Sequence, residues 1–140
     1  MKEFKLQNVH LKVNKIMRCH DLGDYTQCTV TAFDTGSTVF NNSILLHEFI
    51  EYSLLKRVGI TTKEIDGFDY DESTRKGEHY RFYRKAHKIA SKVEQAYVCS
   101  LGKDENRWND YNKFLDKLFK YVRVRRNSNL KNYINHKDEL

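Results

Sequence analysis

His47, Glu48 and Glu51 fall within one and a half turns of each other in an otherwise apolar run, Ile44-Leu45-Leu46-His47-Glu48-Phe49-Ile50-Glu51-Tyr52-Ser53-Leu54-Leu55. The run has the length and composition of a buried helix. At about 100° per residue, His47 and Glu51 lie roughly 40° apart around its axis, with Glu48 beside them. Carboxylates buried in this way are costly unless a cation or a hydrogen-bond network compensates them. A divalent metal ion does so most economically, which makes His47 and Glu51 candidate ligands.

Three further groups are within reach of that helix. Asp66 and Asp69 bracket a Gly-Phe turn just after it, and His87 lies on a later helix with Glu94 two turns on. A His/Glu pair at i, i+4 plus a His or carboxylate from elsewhere gives three N/O ligands, the donor set of catalytic zinc sites. Glu48 then has the place of the general base in an H-E-x-x-H motif, with Glu51 where the second His would stand. A carboxylate there suits zinc and also admits Mg or Mn. The plainer alternatives are helix-end capping by Asp66 and Asp69 and pairing of Glu94 with a nearby Lys.

The elements that must position these groups are legible in outline. Val9, Leu11 and Val13 alternate with polar residues, as in a half-buried strand. Tyr25 to Phe33 is rich in β-branched and aromatic residues and reads as a second strand. Thr38-Val39-Phe40 reads as a short third. From residue 43 the period becomes helical, with Ser43 as N-cap and Gly59 closing the helix after Val58. A short helix capped by Thr61 or Thr62 ends near Asp66-Gly67-Phe68-Asp69, and a charged loop occupies residues 70–77. A long helix runs from about Glu78 to Leu101, its apolar stripe including Phe82, Ala86, Ile89, Ala90 and Val93. A last helix spans roughly Asn106 to Val122. The expected fold is α+β, one domain with a small N-terminal antiparallel sheet of two or three strands packed on three to four helices. Residues 1–42 form its β-rich part, 43–122 the helical part with the metal site, and 123–140 a basic C-terminal tail.

Length and composition set the outer limits. The 140 residues suit one core, 39% are hydrophobic, and nine Tyr and eight Phe can supply much of the buried area. The three cysteines lack C-x-x-C spacing, so reduced thiols are expected, with a Cys19–Cys28 bridge as the alternative. No secretory signal or membrane-length apolar run is present, and the closing Lys-Asp-Glu-Leu is read as coincidence. The expected setting is the cytoplasm of a host cell or a virion.

The stretch Leu46-His47-Glu48-Phe49-Ile50-Glu51, then Gly59-Ile60, Ile65-Asp66-Gly67-Phe68-Asp69, and His87 with Glu94, resembles a set of small uncharacterised bacteriophage proteins. These carry an H-E-x-x-E helix, a D-x-F-D turn and a later helical His, and are distantly similar to zincin-type metallopeptidases. The resemblance covers roughly residues 38–112 and brings no established activity with it; the metal-dependent hydrolase, with Glu48 activating water, is what the residues themselves suggest. Glu48-x-x-Glu51 followed by Asp66-x-x-Asp69 also looks like the paired carboxylates of all-α nucleotide pyrophosphohydrolases, which would imply Mg²⁺ or Mn²⁺.

Charge is concentrated at the C-terminal end. From Lys117 to Lys137 there are seven basic side chains and no acid, including Lys120, Arg123, Arg125, Arg126 and Lys131, with Tyr121 and Tyr133 interleaved. Such a segment suits a phosphate backbone or an acidic protein surface. A non-enzymatic phage accessory or virion component working through this surface is the rival reading of the whole chain.

Overall fold

The structure is a computed structural model that describes residues 3–6, 8–100 and 107–124. Strands β1 (Glu3–Leu6), β2 (Val9–Asn14), β3 (Ile16–Met17), β4 (Gly23–Thr26) and β5 (Thr29–Phe33) precede four helices, α1 (Thr38–Val58), α2 (Thr62–Tyr70), α3 (Gly77–Ser100) and α4 (Arg107–Leu118). A short strand, β6 (Arg123–Val124), follows. The class is α+β, as the change of period at the end of the β-rich part requires.

The sheet corrects the sequence reading. It has four strands in the order β1-β2-β5-β4 and is mixed, not antiparallel, because β2 and β5 run parallel with Leu11 opposite Val30. The predicted strand from Tyr25 to Phe33 is instead a hairpin, broken at Gln27-Cys28 where Cys28 takes a left-handed φ of 60°. Residues between β2 and β4 carry the chain over, so β5 becomes an inner strand. Its Val30, Thr31, Ala32 and Phe33 are all buried, the near-continuous burial of a strand covered on both faces. Apart from this sheet, β3 pairs in parallel with β6.

Thr38-Val39-Phe40 is not a third strand but the first turn of α1. Ser37, not Ser43, is the N-cap, its Oγ accepting the Phe40 N–H. β-branched residues at the start of the helix mislead because tertiary packing outweighs their propensity. Ser43 lies buried within the helix and donates to the Val39 carbonyl. Gly59, at φ 79°, ends α1 as expected, its N–H donating to Leu55 and Lys56 carbonyls.

α2 starts at a capping box between Thr61 and Glu64 and continues through Tyr70. Asp66-Gly67-Phe68-Asp69 is therefore helical and not a turn. Along α3 the inward positions are Ala86, Ala90, Glu94 and Val98, whereas Ile89 is exposed.

α1 is the central element, packed against α3 on one side and the sheet on the other. Its Ile44, Leu45, Tyr52 and Leu55 join Val9, Leu11, Val30 and Ala32 in the main core. A smaller core gathers Met17, Phe33 and Val122 where β3 and β6 meet. Among the described residues no helix is long and apolar enough to cross a membrane. The three cysteines are free thiols, Cys19 buried and Cys28 and Cys99 exposed.

Candidate metal centre

α1 and α3 bring together three of the residues singled out in the sequence. One ligand atom each from His47, Glu51 and His87 lies within 4.8 Å of the others. Glu51 Oε2 is the common point, 3.2 Å from His47 Nε2 and 3.0 Å from His87 Nδ1. The other Glu51 oxygen accepts the phenolic hydrogen of Tyr25 from β4. Glu51 is 3% exposed and His47 8%, while the His87 side chain is 56% exposed and gives the cluster its open side.

The second nitrogen of His47 is equally committed. Nδ1 lies 2.7 Å from Glu94 Oε1, and Tyr111 on α4 donates to Glu94 Oε2 at 2.6 Å. Glu94 thus pairs with His47 and Tyr111, not with a lysine. A carboxylate on the far side of a histidine fixes its tautomer and leaves the near nitrogen for a metal, the common outer-shell pattern of metal-binding imidazoles.

The electrostatics follow from burial and these contacts. Burial disfavours the His47 imidazolium, but hydrogen bonds to Glu51 and Glu94 outweigh it and push its pKa up to about 10. Burial acts against the Glu51 carboxylate too, yet bonds from His47, His87 and Tyr25 hold it ionised, at about 2. A proton and a metal would therefore compete for the His47 Nε2 lone pair. Two imidazole nitrogens and one carboxylate oxygen are a donor set that fits zinc.

Glu48 lines the same cavity, of about 210 Å³, as His47, Glu51 and His87. Its pKa is raised well above the usual carboxylate range by burial and by the charge of Glu51. Gly23 in β4 is what leaves room for it. A Cβ at Gly23 would lie 2.4 Å from Glu48 Oε1 and 2.6 Å from its Cγ. The glycine serves this close approach, a use that a sequence read alone does not disclose.

Asp66 and Asp69 do not join the triad. Asp66 is taken up by Arg18, whose Nη1 and Nη2 reach its two oxygens at 2.9 Å while Nε and Nη2 hold Asp24 at 2.8 Å. This fork-to-fork geometry makes Asp66 half of a buried ion pair and unavailable as a ligand. Asp69 stands on the cavity wall, accepting a hydrogen bond from Tyr83, and burial outweighs that bond to raise its pKa to about 7.

The sequence reading missed Tyr25, Tyr111, Gly23 and Arg18. Only Arg18 had a signal, a cation amid the buried Met17 and Cys19 that needed acidic partners. Of the basic set, Lys120 and Arg123 are exposed, while Arg125, Arg126 and Lys131 lie outside the described residues. Compared with known proteins, the chain matches no family model, no curated protein and no solved structure.

Proposed function

We propose that this chain is a zinc-dependent hydrolase whose ion is held by His47, Glu51 and His87, with Glu48 as general base. The observation that carries the reading is the convergence of three donors from two helices, one of them oriented from behind by Glu94. A helix pair of this kind holds its ligands more precisely than loops would. Bound there, a divalent ion would polarise the scissile group and make a water acidic near neutral pH. The chain's own residues supply the rest. Glu48, one position along α1 from His47 and held against Gly23, shares the cavity, where burial raises its pKa above the usual carboxylate range. Tyr25 holds Glu51, and the open side at His87 admits substrate. Loss of Asp66 to Arg18 counts against a four-carboxylate Mg²⁺ site.

Two substitutions test the roles. His47→Ala should remove the ion, whereas Glu48→Gln should keep the ion and stop hydrolysis of a general peptide or ester substrate panel. Equal loss of metal from both would make Glu48 a ligand and overturn the assignment.

A second reading concerns the C-terminal end, where Lys120, Arg123 and the 71% exposed Tyr121 are clustered. Cations beside an exposed ring suit a nucleic-acid backbone and base. Changing Arg123, Arg125 and Arg126 together to Gln should weaken binding to generic DNA or RNA evenly across sequences and flatten its salt dependence. Unchanged nucleic-acid binding with loss of an acidic protein partner would reassign this surface.

A further inference from the structure

A second, larger pocket adjoins the candidate metal centre. Its volume is about 620 Å³, within the range of small-molecule sites, and it shares Tyr25 and Ile65 with the reactive cavity. Tyr25 turns its hydroxyl to Glu51 on one side, while its ring tilts against Tyr52, centroid to centroid 5.8 Å, on the other. The two spaces are thus successive compartments along α1. The first is lined by His47, Glu48 and Glu51, the second by Tyr52, Leu55 and Lys56.

Their chemistry is opposite. Five carboxylates besides Glu48 line the reactive cavity, whereas no acidic residue lines the larger pocket. Its walls are Tyr25, Tyr52, Leu55, Ile60 and Ile65, and its charged members are Lys56 and Lys63. The Lys56 ammonium stands 5.6 Å over the Tyr52 ring, a cation–π placement that keeps the charge at the wall. A largely apolar chamber whose charged residues are both cations complements an apolar group that bears a carboxylate.

We propose that this pocket binds an aromatic or long aliphatic group carrying a carboxylate, the apolar body against Tyr25, Tyr52 and Ile60 and the anion facing Lys56 and Lys63. The substrate consequence rests on the hydrolase reading: the pocket selects an apolar, carboxylate-bearing residue beside the scissile group. The binding itself needs no ion, so it can fail or stand independently of that reading.

Cys28 provides the test, because its exposed thiol lines the pocket while the exposed Cys99 of α3 does not. Alkylation of both by iodoacetamide is followed by mass spectrometry with added hydrocinnamate or its neutral counterpart, hydrocinnamyl alcohol. Hydrocinnamate at saturation should slow Cys28 several-fold and leave Cys99 unchanged, equally before and after chelation. The alcohol should protect with about ten-fold weaker affinity, and Lys56→Glu with Lys63→Glu should abolish that preference. Equal effects on the two thiols, or none, would overturn the pocket. Protection only in the metal-loaded protein would place the carboxylate on the ion and likewise overturn it. Equal protection by acid and alcohol would overturn the carboxylate assignment. Metal content, measured on the same samples, reports on the hydrolase reading separately.

Discussion

His47 Nδ1 and Glu94 Oε1 are 2.7 Å apart, a contact between the middle of α1 and the second half of α3 in which both groups are buried. It orients the imidazole so that Nε2 faces Glu51. Replacing Glu94 with Gln should therefore lower zinc affinity by about 10- to 100-fold, the usual effect of removing an outer-shell carboxylate. Competition with a chromophoric chelator measures it. Tyr111→Phe should act in the same direction more weakly, and should cost about 1–3 kcal/mol of stability because the hydroxyl of this 1% exposed residue bonds the Glu94 carboxylate. Wild-type affinity in both variants would show that Glu94 does not position His47.

Proton and metal compete for His47. Its folded pKa, about 10 against an ordinary 6.5, means that its protonation stabilises the ion-free fold fully below about pH 6.5. That contribution is lost as pH rises through about 10. Ion binding near neutral pH should displace about one proton from His47 and strengthen by about ten-fold per pH unit. Glu51 adds none, being ionised down to about pH 2. Calorimetry in buffers of differing ionisation enthalpy reads the proton directly; binding with no proton released would contradict the arrangement.

Gly23→Ala should resemble Glu48→Gln. The added methyl occupies the space of the Glu48 carboxylate, so Glu48 must swing out of place while His47, Glu51 and His87 are untouched. The expected result is retained metal, lost hydrolysis and a destabilisation of about 1–3 kcal/mol from overpacking. Lost metal would show that the substitution disturbs α1 as a whole.

Asp66→Asn should separate structure from ligation. It removes one of the two carboxylates that hold Arg18, whose charge stays paired with Asp24, so the cost should be about 1.5–3 kcal/mol for the weakened charged hydrogen bonds. Thermal melting should register the loss while metal stoichiometry holds. A chain that loses its ion with a normal melt would return Asp66 to the ligand set.

How much of this was legible in the sequence divides along physical lines. The pair on α1 was visible because helical spacing alone determines that His47 and Glu51 share a face. His87 could be named but not placed, since the α1–α3 contact depends on packing that local sequence does not encode. The D-x-F-D segment misled. Gly67 reads as a break, yet the capping box at Thr61 and Glu64 drives the helix through to Tyr70, turning Asp66 toward Arg18. The parallel pairing of β2 with β5 was equally hidden, because alternation in Val9, Leu11 and Val13 defines a buried face but not a neighbour. Tyr25 and Tyr111 read simply as core aromatics, and only the fold shows that each hydroxyl ends on a carboxylate of the centre.

The most direct test of the central claim is elemental analysis of the chain purified without a histidine tag, paired with a melt before and after chelation. The account predicts about one zinc per chain, a lower melting temperature once the ion is removed, and no ion in His47→Ala. Sub-stoichiometric metal together with a melt that chelation leaves unchanged would contradict it, and would make His47, Glu51 and His87 a hydrogen-bond network that a proton alone completes.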